Sequence, residues 1–124
     1  MTAFNDAGNI VFTGEGTSQW LDGSRDKWDD FYPSERWAFE RLAGPQQALG
    51  RILDVGCGMG GLGLTLSHKF AVEYYHGVDI NQPVIERALA KRGRFKVPVE
   101  FECKDILEAA HLSPDAFDIV FSLG

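Results

Sequence analysis

No stretch of this 124-residue chain approaches the roughly 20 consecutive apolar residues that a membrane-spanning helix needs. The opening residues, MTAFNDAGNIVF, carry no basic segment and no long apolar run of the secretory kind, so the expectation is a cytoplasmic protein. Cysteine is scarce: Cys57 and Cys103 are the two, and neither has a histidine at ligand spacing. That excludes a disulfide framework and leaves no metal site to expect. Positive charge is also short, with 12 Lys and Arg against 18 Asp and Glu and a net charge of −6. Nucleic-acid phosphates reward a basic face, so a nucleic-acid partner is disfavoured. The one basic cluster, Lys91 to Lys96, reads as a solvated helix end where cations suit the macrodipole. His68, His76 and His111 have no nameable partners and receive no catalytic role. What remains is 44% apolar and 24% charged, the balance of one soluble globular domain.

Two regions differ in character. Residues 1–50 are irregular, polar and rich in aromatics, with Trp20, Trp28, Phe31, Tyr32, Trp37 and Phe39 crowded together. They read as an amino-terminal cap whose rings either cover the sheet or close over a ligand, and Pro33–Leu42 fits an amphipathic helix. From residue 51 to 124, short apolar runs alternate with helical patterns, the signature of βαβ units on a parallel sheet. Strands are expected at Arg51–Val55, Val72–Ile80, Val97–Cys103 and Phe117–Ser122. One helix is expected at Leu62–Phe70. Another follows Asn81 as N-cap and Pro83, and stops at Gly93.

The central signal is Ile52-Leu53-Asp54-Val55-Gly56-Cys57-Gly58-Met59-Gly60-Gly61. A buried strand runs into glycines and then into a helix. Glycine permits positive φ and lets backbone approach a ligand, and the helix offers free N–H groups to an anion. The loop satisfies G-x-G-x-x-G through Gly56, Gly58 and Gly61, and G-x-G-x-G through Gly56, Gly58 and Gly60. Asp79 suits either reading as an acceptor for ribose hydroxyls. Three features separate them. Asp54, just ahead of the glycines, would repel a pyrophosphate and suits an ammonium or sulfonium ligand. Asp105 ends the third strand, where it can accept from an adenine amino group. Phe117–Ser122 brings a fourth strand beside the first.

With these residues in place, the sequence from about Arg51 onward resembles the class I S-adenosylmethionine-dependent methyltransferases. The resemblance implies a Rossmann-like α/β fold, with a parallel sheet in the order 3-2-1-4, and S-adenosylmethionine as cofactor. It implies that Gly56, Cys57, Gly58 and Gly60 pack against the methionine part of the cofactor and that Asp54 is the acid of the L-D-x-G-x-G-x-G motif. Asp79 then holds the ribose, Asp105 the adenine, Ile80 and Ile106 flank the ring, and Ser122 meets the cofactor's amino group.

The family sheet has seven strands in the order 3-2-1-4-5-7-6, so these four would be its cofactor-binding portion, with the fourth strand as an apolar edge. Such an edge implies self-association or a covering chain. The expected acceptor is a small molecule, and no catalytic base is assigned. Two other functions stay open: a NAD(P)- or flavin-dependent oxidoreductase fragment, and a non-catalytic Rossmann-like scaffold or binding module.

Overall fold

A computed structural model describes residues 26–109 and 111–123, together with the backbone of two short strands, β1 (Thr2–Phe4) and β2 (Ile10–Phe12), which pair antiparallel. Trp20 and most of the expected cap's first half lie outside the described residues. Next comes α1 (Pro33–Ala43), which starts with proline at its first position. The Tyr32 N–H donates to Glu35 Oε1 at 2.9 Å there, and Gly44 at φ 64° ends the helix. Then follow β3 (Ala48–Val55), α2 (Gly61–Lys69), β4 (Ala71–Asp79), α3 (Gln82–Ala90), β5 (Val99–Cys103) and β6 (Ile119–Phe121).

The last four strands form one parallel sheet in the order β5-β4-β3-β6. This is the Rossmann-like α/β arrangement with the 3-2-1-4 order. Chain direction across the sheet reverses at β3, since successive strands step outward to β5 and the chain then returns to β6 on the far side. In open α/β sheets that reversal opens a crevice at the carboxyl ends of the strands.

Register assigns the two faces. Ile52, Tyr75, Val99 and Ile119 lie in one row, and Asp54, Gly77, Phe101 and Phe121 in the next row on the same face. This face carries the core: Ile52 and Tyr75 are fully buried with Leu62 and Leu66 of α2, and Phe39 of α1 packs edge-on against Phe121. Full burial of a side chain such as Leu66 is worth about 1.5–3 kcal/mol. Of the amino-terminal aromatics, Phe31 and Phe39 join this core, Trp28 packs on Phe31 and Phe70, and Tyr32 and Trp37 face outward.

The opposite face is crossed by the β5–β6 connection. Phe117 packs on Tyr74 and His76, the Arg51 Nε–H donates to the Ala116 carbonyl at 2.8 Å, and His111 reaches Glu102. Burial, and then the Glu100 carboxylate bonded to it, push the Tyr74 hydroxyl up to about 12. Burial works to raise Glu102, but its bond to His111 and the charges of His76, His111 and Lys104 prevail and hold it below its ordinary range.

Several boundaries differ from the sequence expectation, each for a local reason. β3 begins at Ala48 because Gly50, at φ 71°, forms an irregularity inside the strand instead of ending it. β5 begins at Val99 because Pro98 has no N–H to pair, although its carbonyl still accepts from Tyr75 at 3.1 Å. β6 begins at Ile119, with Asp118 clamping Arg51 from both its backbone and its carboxylate. α3 stops at Ala90, and Gly93 falls inside a following 3-10 turn, Arg92–Arg94, which carries the basic cluster into solvent.

Gly63 of α2 sits directly on β4: an added Cβ there would fall inside the Tyr75 ring. Neither a ring inside the core nor a helix backbone can yield cheaply. Gly63→Ala should therefore cost about 1–3 kcal/mol of stability. A shift of the urea midpoint to lower concentration is the expected result, and an unchanged midpoint would contradict this packing.

Candidate functional site

The loop after β3 is built by three glycines in the left-handed region: Gly56 at φ 76°, Gly58 at 58° and Gly60 at 82°, while Gly61 opens α2. Gly60, which the dinucleotide spacing leaves free, is the N-cap residue of α2 and lies under the Phe101 ring. The close helix–strand approach falls at Gly63, two residues past the third glycine of that spacing. Both facts favour the G-x-G-x-G reading. A Cβ on Gly58 would meet nothing within 4 Å, so the space over the middle of the loop is open to a ligand.

The loop is fastened to β4. Gly56 and Cys57 N–H groups both donate to the Val78 carbonyl, at 2.7 and 3.1 Å. The Gly58 N–H donates to Asp79 Oδ2 at 3.0 Å, and Asp79 Oδ1 accepts from the Asn81 backbone and carboxamide, both at 2.9 Å. Asn81 does precede α3, but no cap bond to the helix runs through its side chain. A carboxylate offers about four acceptor positions. Three are used here, which leaves Oδ2 able to take a hydroxyl donor.

Asp54 lies beneath the loop, 3% exposed, and its Oδ2 accepts from the Tyr75 hydroxyl. Burial, and then the Asp54 charge, hold the Tyr75 pKa well above its ordinary value, so the phenol stays protonated and donates. Asp54 thus stands under the loop and not at open surface. Cys57 is buried against Gly77, and burial followed by the Asp54 and Asp79 charges drive its thiol far up, leaving it unreactive.

The neighbouring strand ends join the same edge. The Lys104 N–H donates to the Asp79 carbonyl at 3.0 Å, and the Cys103 thiol lies 3.7 Å from the Ile80 carbonyl. Asp105 caps a short 3-10 turn, Ile106–Glu108, by accepting from Leu107 N at 3.0 Å. Ile80 is half-buried and Ile106 exposed. On the other side, the Ser122 hydroxyl approaches Gly56, 3.8 Å from where a Cβ would stand. All ten candidate residues therefore gather at one carboxyl edge, around the point where strand order reverses. Tyr75 and Gly63 escape notice in the sequence, because only the strand register sets a tyrosine beside Asp54.

A doubly wound α/β sheet with a glycine loop and acids at successive strand ends defines a nucleoside-cofactor domain. Within that class, residues 52–124, more than half of the chain, match a family described as methyltransferase domain, and the chain belongs to this family. It is 35% identical over 72 residues to phosphoethanolamine N-methyltransferase 1 of Arabidopsis thaliana, covering 58% of this chain and 14% of that one. To release factor glutamine methyltransferase of Koribacter versatilis it is 32% identical over 78 residues, covering 63% and 28%. Among solved structures it resembles a phosphoethanolamine N-methyltransferase of Haemonchus contortus in complex with phosphomonomethylethanolamine and S-adenosylhomocysteine. There the TM-score is 0.58 and identity 30%, covering 73% of this chain and 21% of that one. The chain thus spans well under a third of the length of these relatives.

Removing the Tyr75 hydroxyl strips a donor from a buried carboxylate, a loss worth about 1–3 kcal/mol. Tyr75→Phe should lower the unfolding midpoint accordingly while the circular dichroism of the folded state is retained. Full stability in that variant would mean that Asp54 does not depend on this bond.

Proposed function

We propose that this chain is the S-adenosylmethionine-binding portion of a methyltransferase that alkylates a small-molecule acceptor. The observation that carries the proposal is the bond from Gly58 N–H to Asp79, which joins the open glycine loop to an acid at the next strand end. Residues 51–124 form the binding unit in this reading and residues 1–50 a cap, in a cytoplasmic protein whose two cysteines are free thiols.

S-adenosylmethionine, when bound, supplies a methyl group activated by a positive sulfur. The residues of this chain bind and orient. Asp79 accepts from the ribose hydroxyls, Asp105 from the adenine amino group, and Ile80 and Ile106 flank the ring. The open backbone of Gly56, Cys57, Gly58 and Gly60 receives the methionine portion. Asp54, negative and held under the loop, favours the cofactor's positive charges, and Ser122 contributes beside Gly56. Aligning the methyl group with its acceptor and excluding water supply several kcal/mol of barrier lowering. A small acceptor is favoured by the relatives named for phosphoethanolamine. A protein acceptor is the second reading, on the strength of the release-factor relative.

Charge-assisted hydrogen bonds to the ribose are worth about 1.5–3 kcal/mol. Asp79→Ala should weaken S-adenosylhomocysteine binding by roughly tenfold to a hundredfold in calorimetry, with the fold intact by circular dichroism. Unchanged affinity in a folded variant would remove Asp79 from the site.

β6 is the outer strand of the described sheet, and its Val120 side chain is 54% exposed. Apolar edges of this kind pair with further strands. The chain should self-associate through β6, and Val120→Lys should restore a monomer in sedimentation. A parent chain that stays monomeric at every concentration would contradict this.

A further inference from the structure

The sheet face opposite the glycine loop holds a second cluster of chemically capable side chains. His76 of β4 is paired in register with Glu100 of β5, with Glu102 one row further on the same face. One donor atom from each of the three lies within 4.8 Å of the others. His111, from the β5–β6 connection, adds its Nε2 at 2.9 Å from Glu102 Oε2.

His76 is the informative member. Its side chain is 3% exposed, under the edge of the Phe117 ring. Its Nδ1 lies 3.0 Å from the Tyr74 hydroxyl, which is itself bonded to Glu100. A carboxylate only accepts, so Tyr74 donates to Glu100 and its oxygen accepts the Nδ1–H. That tautomer leaves a lone pair on Nε2. This atom is fully buried with no hydrogen-bond partner. Yet Glu102 Oε1 stands only 2.9 Å away, off the direction in which a ring N–H would point.

A buried ring nitrogen and a carboxylate oxygen only 2.9 Å apart, with no hydrogen bond between them, call for a cation that both can touch. A proton on Nε2 would answer the need along the N–H direction, where the oxygen is not. A metal ion need not lie along that direction: tetrahedral zinc, about 2.0–2.2 Å from each donor, holds nitrogen and oxygen about 3.3 Å apart, a small adjustment from the 2.9 Å seen. The second ring nitrogen, donating to a fixed oxygen, is the usual outer partner of a metal-binding histidine.

We propose that His76, through Nε2, together with Glu102 and Glu100 binds a divalent transition ion of the zinc type. Two carboxylates neutralise the ion's charge, and an imidazole with two carboxylates is a donor set that zinc accepts. The ion would tie β4 to β5, and the bond from His111 to Glu102 would extend that restraint to the β5–β6 connection. This role is structural, on the face away from the glycine loop.

The test is a zinc titration of the chelator-washed full chain against a chromophoric chelator, with cobalt absorption as a spectroscopic check. One ion per chain is expected, with a raised melting temperature and visible bands for the cobalt form. Glu102→Gln and His76→Gln should each weaken zinc by at least a hundredfold, and Tyr74→Phe, which removes the hydroxyl that orients His76 and Glu100, by about tenfold. Glu102→Gln alters a side chain nearer the surface and serves if His76→Gln does not fold. No zinc taken up by the parent chain, or zinc bound equally well by Glu102→Gln, would overturn the proposal and leave a proton-mediated pair.

Discussion

The buried bond between Tyr75 and Asp54 is the constraint on which the rest of this domain depends. A carboxylate 3% exposed needs a donor, because burying it unpaired costs several kcal/mol. Tyr75 can supply one only because Gly63 leaves room for its ring beneath α2. That contact draws the helix onto β4, sets where α2 begins, and obliges Gly60 to enter it in a left-handed conformation. The loop above is then short and fixed, and its Gly58 N–H meets Asp79. One polar pair in the core thus shapes the site at the surface.

The two faces of the sheet divide the labour. One is filled with rings and aliphatic side chains from α1, α2 and the strands, and its upper row bears Asp54 and Gly77 under the loop. The other is crossed by a connection with little regular structure, held by Phe117, Arg51 and His111. Strand order reverses at β3, so the carboxyl edge opens there and gathers the loop and acids. Methyl transfer suits such a site, since the chemistry asks mainly for alignment.

Much of this could be read from the residues. The glycine run after an apolar strand, with Asp79 and Asp105 at later strand ends, carries the resemblance that implied the sheet order seen here. Local pattern failed where a residue's role depended on tertiary company. The first strand was expected from Arg51, but it begins at Ala48 with Gly50 as an irregularity inside it, and Gly93 reads as a stop but follows a helix that has already ended. Asp54 reads as facing a ligand, whereas register turns it to Tyr75. His76 and His111 looked partnerless because Glu102 meets them only across strands and through a crossover. The aromatics split likewise: Phe31 and Phe39 went to the core, Tyr32 and Trp37 to the surface, a division that composition does not carry.

The central claim is that the edge formed by the glycine loop and Asp79 receives S-adenosylmethionine. Calorimetric titration of the chain with S-adenosylhomocysteine and, separately, with NAD tests it most directly. The account predicts saturable binding of S-adenosylhomocysteine at one site per chain and no heat of binding with NAD. Binding of NAD in preference to S-adenosylhomocysteine would contradict it, and so would a folded chain that binds neither.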